Sequence, residues 1–206
     1  STTCAWRLAG EASESRQLGH VSYGTRLLCG SGVVRMVSLV LYTGLIALTA
    51  FERLFEVQVS SRNGAESLRR GGREFGREHY PFMVCLHTAF LVGCVAEVWL
   101  MDRTFSPVWG FVWLGIAVAC QGLRWWVIRT LGFQWNTRVI VVPGLPRITG
   151  GPFRYLSHPN YLAVVLEGIA LPMIHDAYLT AIAFTVLNAL LLMVRIRVEN
   201  RALGQL

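Results

Sequence analysis

The chain has no lysine; all 19 of its basic residues are arginine. Charge of either kind is scarce. Asp, Glu, Lys and Arg make up 15% of the 206 residues, against about 25% in a typical soluble domain. That scarcity excludes an ordinary water-soluble surface. The five cysteines (Cys4, Cys29, Cys85, Cys94 and Cys120) contain no C-x-x-C pair, and three fall in apolar runs. A free cysteine there behaves as a small hydrophobe, so neither a disulfide framework nor a metal site is expected. Internal repeats and low-complexity segments are absent. The formal charge is +7, yet the arginines sit beside hydrophobic runs and not along one basic stripe. That placement argues against a nucleic-acid partner and for loops facing anionic lipid.

What the chain has is apolar length. Hydrophobic residues make up 53% of it, and its mean hydropathy is +0.46. Residues 1–35 are rich in Gly, Ser and Arg, lack an apolar run of signal-peptide length, and read as a disordered tail or a non-native extension. The domain proper is expected over 36–206, opening at Met36. A helix needs about 20 apolar residues to cross the hydrocarbon core. Spans are predicted from Val37 to about Val59, from about Tyr80 to Met101, and from about Val108 to Ile128. Leu131 to Pro159 is polar and punctuated by Pro and Gly. Tyr161 to Ile174 is apolar but short, with Pro172 near its end. A turn at His175-Asp176 joins it to Ala177 to Val194. The fold class is therefore an all-α integral membrane protein of about five transmembrane helices, the last two forming a hairpin.

Orientation follows from the arginines. Arg62, Arg69, Arg70, Arg73 and Arg77 put the Ser60–Tyr80 segment in the cytoplasm. Arg129, Arg138, Arg147 and Arg154 do the same for Leu131–Pro159, and Arg195, Arg197 and Arg201 for the C-terminus. The expected topology has the N-terminus outside and the C-terminus inside, in a bacterial cell membrane. The informative polar segments then gather on the cytoplasmic face, where a soluble cofactor can enter. A lipophilic substrate can arrive sideways from the bilayer.

Two motifs could carry chemistry. In "GPFRYLSHPNYLAVVLEGIALPM" (Gly151 to Met173), Pro159 suits a first helical turn, whose free N–H groups favour an anion. His158 and Tyr161 add ring edges and hydrogen bonds. The same residues also read as a plain helix start with an interfacial tyrosine. In "RIRVEN", Arg195 and Glu199 share a helix face and read equally as a positive-inside anchor. Both motifs close the cytoplasmic end of one hairpin, so they should be neighbours. His87 and Glu167 lie within spans, where ionisable groups are candidate functional residues; interhelical hydrogen bonding is the alternative.

These stretches, with "ERLFE", "HYPFMVCLH" and "RTLGFQWNTRVIVVPG", resemble the isoprenylcysteine carboxyl methyltransferase family of integral-membrane enzymes, in its bacterial branch. That branch is similar to alkylresorcinol and alkylpyrone O-methyltransferases. The resemblance covers about Met36 to Leu203. It implies S-adenosylmethionine as cofactor, no metal, and a cytosolic cofactor pocket built from Leu145, Pro146, Arg147, Ile148, Phe153, His158, Pro159, Asn160, Tyr161 and Glu199. It assigns Arg195 to the substrate oxygen. His87 and Glu167 remain candidate bases should the acceptor be a phenol. Ser157, Phe153 and Asn200 depart from the family's usual Arg, Tyr and second acid. The expected activity is O-methylation of a lipophilic acceptor, a carboxylate or a phenol or enol oxygen. A phospholipid-type N-methyltransferase, a steroid-type reductase and a non-catalytic membrane carrier are the alternatives.

Overall fold

A computed structural model describes the backbone of residues 4–204 and the side chains of 32–204. The expectation for residues 1–35 thus falls mostly on side chains outside the described residues. Five α-helices appear in order: α1 (Cys4–Arg69), α2 (Tyr80–Leu100), α3 (Pro107–Leu131), α4 (Pro159–Met173) and α5 (Tyr178–Gly204). Two compact units divide the chain, Ser1–Leu41 and Tyr42–Leu206. In the first, Ser38 Oγ donates to the Arg35 carbonyl at 2.8 Å.

Gly32–Arg69, Arg77–Leu100, Pro107–Gln134 and Tyr178–Gly204 are long and apolar enough to cross a membrane. At 15 residues, α4 is shorter than the ~20 a straight crossing needs. It packs between α3 and α5, and α5 also packs on α2. The exterior is apolar: Leu48, Phe51, Leu54, Phe111, Val118, Ile182 and Leu190 all project outward. The interior holds small residues, including Ala117, Ala163, Ala170 and Ala181, which let helices approach where lipid gives no hydrophobic drive for association. Gly168 of α4 is one such close approach, since a Cβ there would run into the Phe184 ring of α5.

The hairpin turn is held from outside itself. Asp176 takes the left-handed conformation (φ 54°), which Asp tolerates better than most residues. Glu97, near the end of α2, accepts hydrogen bonds from Leu179 N (3.2 Å) and Thr180 N (2.7 Å). These are free donors in the first turn of α5. Arg103 pairs with Glu97 at 2.9 Å and lies 3.8 Å above the Tyr178 ring.

The other end differs from the sequence expectation. Residues 60–69, expected as loop, continue α1 as helix. Their polar groups form one helical face that hydrogen-bonds residues 132–137, just after α3. Ser60 Oγ meets Thr137 Oγ1 at 2.8 Å and accepts from Thr137 N at 2.9 Å. Asn63 Nδ2 donates to the carbonyls of Gly132 (3.1 Å) and Trp135 (2.8 Å). Beyond the helix, β1 (Arg73–Phe75) pairs antiparallel with β2 (Val139–Val141), Glu74 opposite Ile140. This two-stranded ribbon contacts α5 and closes the end where the polar motifs lie.

Candidate functional site

At the start of α4, His158 is the N-cap and Pro159 occupies the first turn, where its missing N–H costs nothing. One turn of helix puts Tyr161 beside His158, their rings stacked at 5.3 Å and 25°. Tyr161 faces α5 and joins the two residues of the second motif. Arg195 Nε donates to the Tyr161 hydroxyl at 3.0 Å, and that hydroxyl donates to Glu199 Oε2. The two motifs are therefore neighbours, as the hairpin required. Among the described residues no direct ion pair links Arg195 to Glu199; the phenol stands between them. Arg195 is buried, at 6% exposure, and also reaches α2, its Nη1 lying 2.9 Å from Met83 Sδ.

The remaining expected cofactor residues are placed less uniformly. Pro159 is buried, and Asn160 is half-buried. Phe153 packs against the buried Val127, Ile128 and Trp135, which fixes the short 3-10 turn Gly151–Arg154 under α3. Leu145, Pro146 and Arg147 are exposed and Ile148 is half-buried, in the irregular stretch after β2. The residues around Tyr161 fit S-adenosylmethionine on one direct observation. The Asn160 side-chain oxygen is buried with no donor among the described residues, a cost that a bound hydroxyl or amine would relieve. Glu199 and Tyr161 offer further acceptors, and the Tyr161 ring and the Glu199 charge suit a sulfonium.

A second polar cluster lies deeper and was only partly visible in sequence. Glu167 of α4 accepts from Arg53 (3.1 Å) and Arg124 (2.6 Å). Arg53 also pairs with Glu56 at 2.7 Å and donates to Gln121 Oε1 at 2.9 Å. Arg124 lies 3.6 Å from Glu56. Glu52 accepts from Trp125 Nε1 at 2.7 Å and from Gln121 Nε2. The cluster ties α1, α3 and α4 where apolar packing alone would be non-directional. Glu167 thus forms interhelical ion pairs. His87, on α2, hydrogen-bonds the Met83 carbonyl at 2.9 Å and meets Phe184 edge-on at 5.3 Å. Arg124 and Gln121 were not singled out from sequence. The signal for Arg124 is its position inside an apolar span, where a lone charge needs a partner.

A helical membrane-type fold with a polar array at the foot of its last hairpin narrows the class; similarity to known proteins narrows it further. Residues 113–205 match the isoprenylcysteine carboxyl methyltransferase family. The uncharacterized protein YpbQ of Bacillus subtilis is 40% identical over 164 residues, which is 78% of this chain and 95% of that protein. An uncharacterized Haemophilus influenzae protein is 24% identical over 155 residues, or 75% of this chain and 90% of its own. The chain belongs to the isoprenylcysteine carboxyl methyltransferase family. Membership implies a methyltransferase that uses S-adenosylmethionine.

Proposed function

We propose that the protein is an S-adenosylmethionine-dependent O-methyltransferase. Its acceptor is lipophilic, a prenyl or long-alkyl compound offering a carboxylate or a phenol or enol oxygen. The observation that carries this reading is the Tyr161 hydroxyl held between Arg195 and Glu199. The hydroxyl fixes a cation and an anion side by side without letting them neutralise each other directly. Glu199, with His158, Asn160 and Tyr161, then holds the cofactor. Pro159, Phe153 and the Leu145–Ile148 stretch complete the pocket as the family resemblance implies. When bound, S-adenosylmethionine supplies an electrophilic methyl group on a sulfonium. The chain's part is positioning, which contributes most in such an in-line displacement. Arg195 orients the acceptor oxygen and favours its ionised form. Methyl transfer is proposed at the cytoplasmic face, with the N-terminus outside and residues 1–35 dispensable. The acceptor enters from the bilayer.

Glu199→Gln and Arg195→Lys test the division of labour. Glu199→Gln should weaken S-adenosylhomocysteine binding by about 10- to 100-fold, the value of a hydrogen bond to a charged group. Arg195→Lys should leave that binding nearly intact and lower turnover, because a point charge replaces a planar fork. Calorimetry beside steady-state rates separates the two. Equal loss of stability with unchanged affinity and rate would reduce both residues to a helix anchor.

A further inference from the structure

Arg195 is shared between two helices that pack on α5. Its Nε donates to the Tyr161 hydroxyl of α4 at 3.0 Å, and its Nη1 meets the Met83 sulfur of α2 at 2.9 Å. The side chain is buried, at 6% exposure, yet its polar partners among the described residues are a phenol and a thioether. Buried arginines ordinarily meet a carboxylate. A thioether is a weak acceptor, so Nη1 is occupied there without being satisfied. Its side chain turns about three bonds and repacks readily. An oxygen reaching Nη1 would make a charge-assisted hydrogen bond that sulfur cannot match.

Met83 belongs to the face of α2 that runs along α5. One turn later, His87 meets Phe184 edge-on. One turn earlier, His79 caps the start of α2. Gly76 takes the left-handed conformation (φ 62°), and a Cβ there would run into both the His79 ring and Val198 of α5. His79 and Val198 are therefore neighbours too. Contacts at residues 79, 83 and 87, four apart, define one helical face, and Arg195 meets its middle. The residues proposed to hold the cofactor at this end of the hairpin, His158 to Tyr161 and Glu199, lie on α4 and the end of α5. The α2 side of Arg195 remains for the acceptor. Val84 and Val194, next in sequence to Met83 and Arg195, project outward, so the seam between α2 and α5 borders lipid.

We propose that the acceptor enters through the α2–α5 seam and that Met83 is the gate on Arg195. The sulfur holds Nη1 until the acceptor oxygen takes its place. The inference rests on the methyltransferase reading above and names the residue that decides when Arg195 is free. Met83 acts through Arg195, so it is a positioning residue. The weak contact keeps the guanidinium aimed and yields to oxygen. A side-chain oxygen at position 83 would compete with the acceptor for the same N–H. An aliphatic side chain of similar size would leave that N–H open.

The chain has five methionines, so methyl-labelled methionine gives a simple NMR spectrum in which Met83→Leu identifies the Met83 signal. The probe is dodecanoate, an oxyanion on an alkyl chain, titrated into the S-adenosylhomocysteine complex in nonionic micelles. The Met83 methyl signal should shift saturably, and dodecylamine should leave it in place. Met83→Gln should weaken dodecanoate about 10- to 100-fold, the value of a hydrogen bond to a charged group, with S-adenosylhomocysteine affinity unchanged. Met83→Leu, close in volume, should bind dodecanoate at least as tightly as the native protein. An unmoved Met83 signal, an equal shift with dodecylamine, or equal losses in the Gln and Leu variants would overturn the inference. Should Met83→Gln fail to fold, the native titration and the Leu variant decide the matter. Failure of the native protein to bind S-adenosylhomocysteine would instead remove the methyltransferase reading, and the dodecanoate titration without it would still judge the gate.

Discussion

Glu167→Gln isolates the ion cluster from the rest of the fold. The substitution keeps the shape and one carbonyl oxygen but removes the charge that Arg124 meets at 2.6 Å and Arg53 at 3.1 Å. Arg124 is left with Glu56 at 3.6 Å as its carboxylate partner among the described residues. Breaking a buried pair by removing one partner costs about 3–5 kcal/mol, most of it from the charge left behind. The retained amide oxygen and the surviving Glu56 contact put the expected loss near 3 kcal/mol, at the lower end of that range. Unfolding in mixed micelles, followed by tryptophan fluorescence, measures it. Trp125 is a suitable reporter because its Nε1 donates to Glu52 within the cluster. The double variant Glu167→Leu with Arg124→Leu removes both charges and should be less destabilised than Glu167→Gln alone. A single-variant loss under about 1 kcal/mol would place the pair among exposed ones and refute the argument. A double variant no better than the single would refute it too.

Two other outcomes follow from contacts already described. Gly168→Ala should destabilise the α4–α5 hairpin by about 1–3 kcal/mol, the cost of overpacking, because its Cβ would run into Phe184; the same unfolding assay reads this. His158→Ala removes the ring stacked on Tyr161. It should weaken S-adenosylhomocysteine about 10- to 100-fold with the thermal transition preserved, and unchanged affinity by calorimetry would limit His158 to capping α4.

The spans were legible because their apolar runs are long. The start of α2 at Tyr80 and the turn at His175-Asp176 follow from composition alone. The end of α1 was not legible. Ser60, Asn63 and Ser67 look like loop residues, yet their spacing makes one helical face, and their partners lie some 70 residues away in the 132–137 turn. Nothing in the local sequence names those partners. The two strands escaped for a different reason: at three residues each they are too short for a period-two pattern. At the site, the two motifs could be placed together by reasoning from the hairpin. That Tyr161 would stand between Arg195 and Glu199 could not, because an i, i+4 spacing suggests a direct pair. Glu52, Arg53 and Glu56 stand as charges near the end of the first span. Their neutralisation by Arg124 and Glu167 depends on how α3 and α4 pack, which periodicity does not specify.

The central claim is that this chain moves a methyl group from S-adenosylmethionine to the oxygen of a lipophilic acceptor. Purified protein in lipid nanodiscs, incubated with methyl-labelled S-adenosylmethionine and a total lipid extract, tests it directly. The account predicts label in an apolar product carrying a new methyl ether or methyl ester, formed with stoichiometric S-adenosylhomocysteine and lost in Glu199→Gln. Label on a lipid amine, or S-adenosylhomocysteine failing to bind while NADPH does, would contradict it.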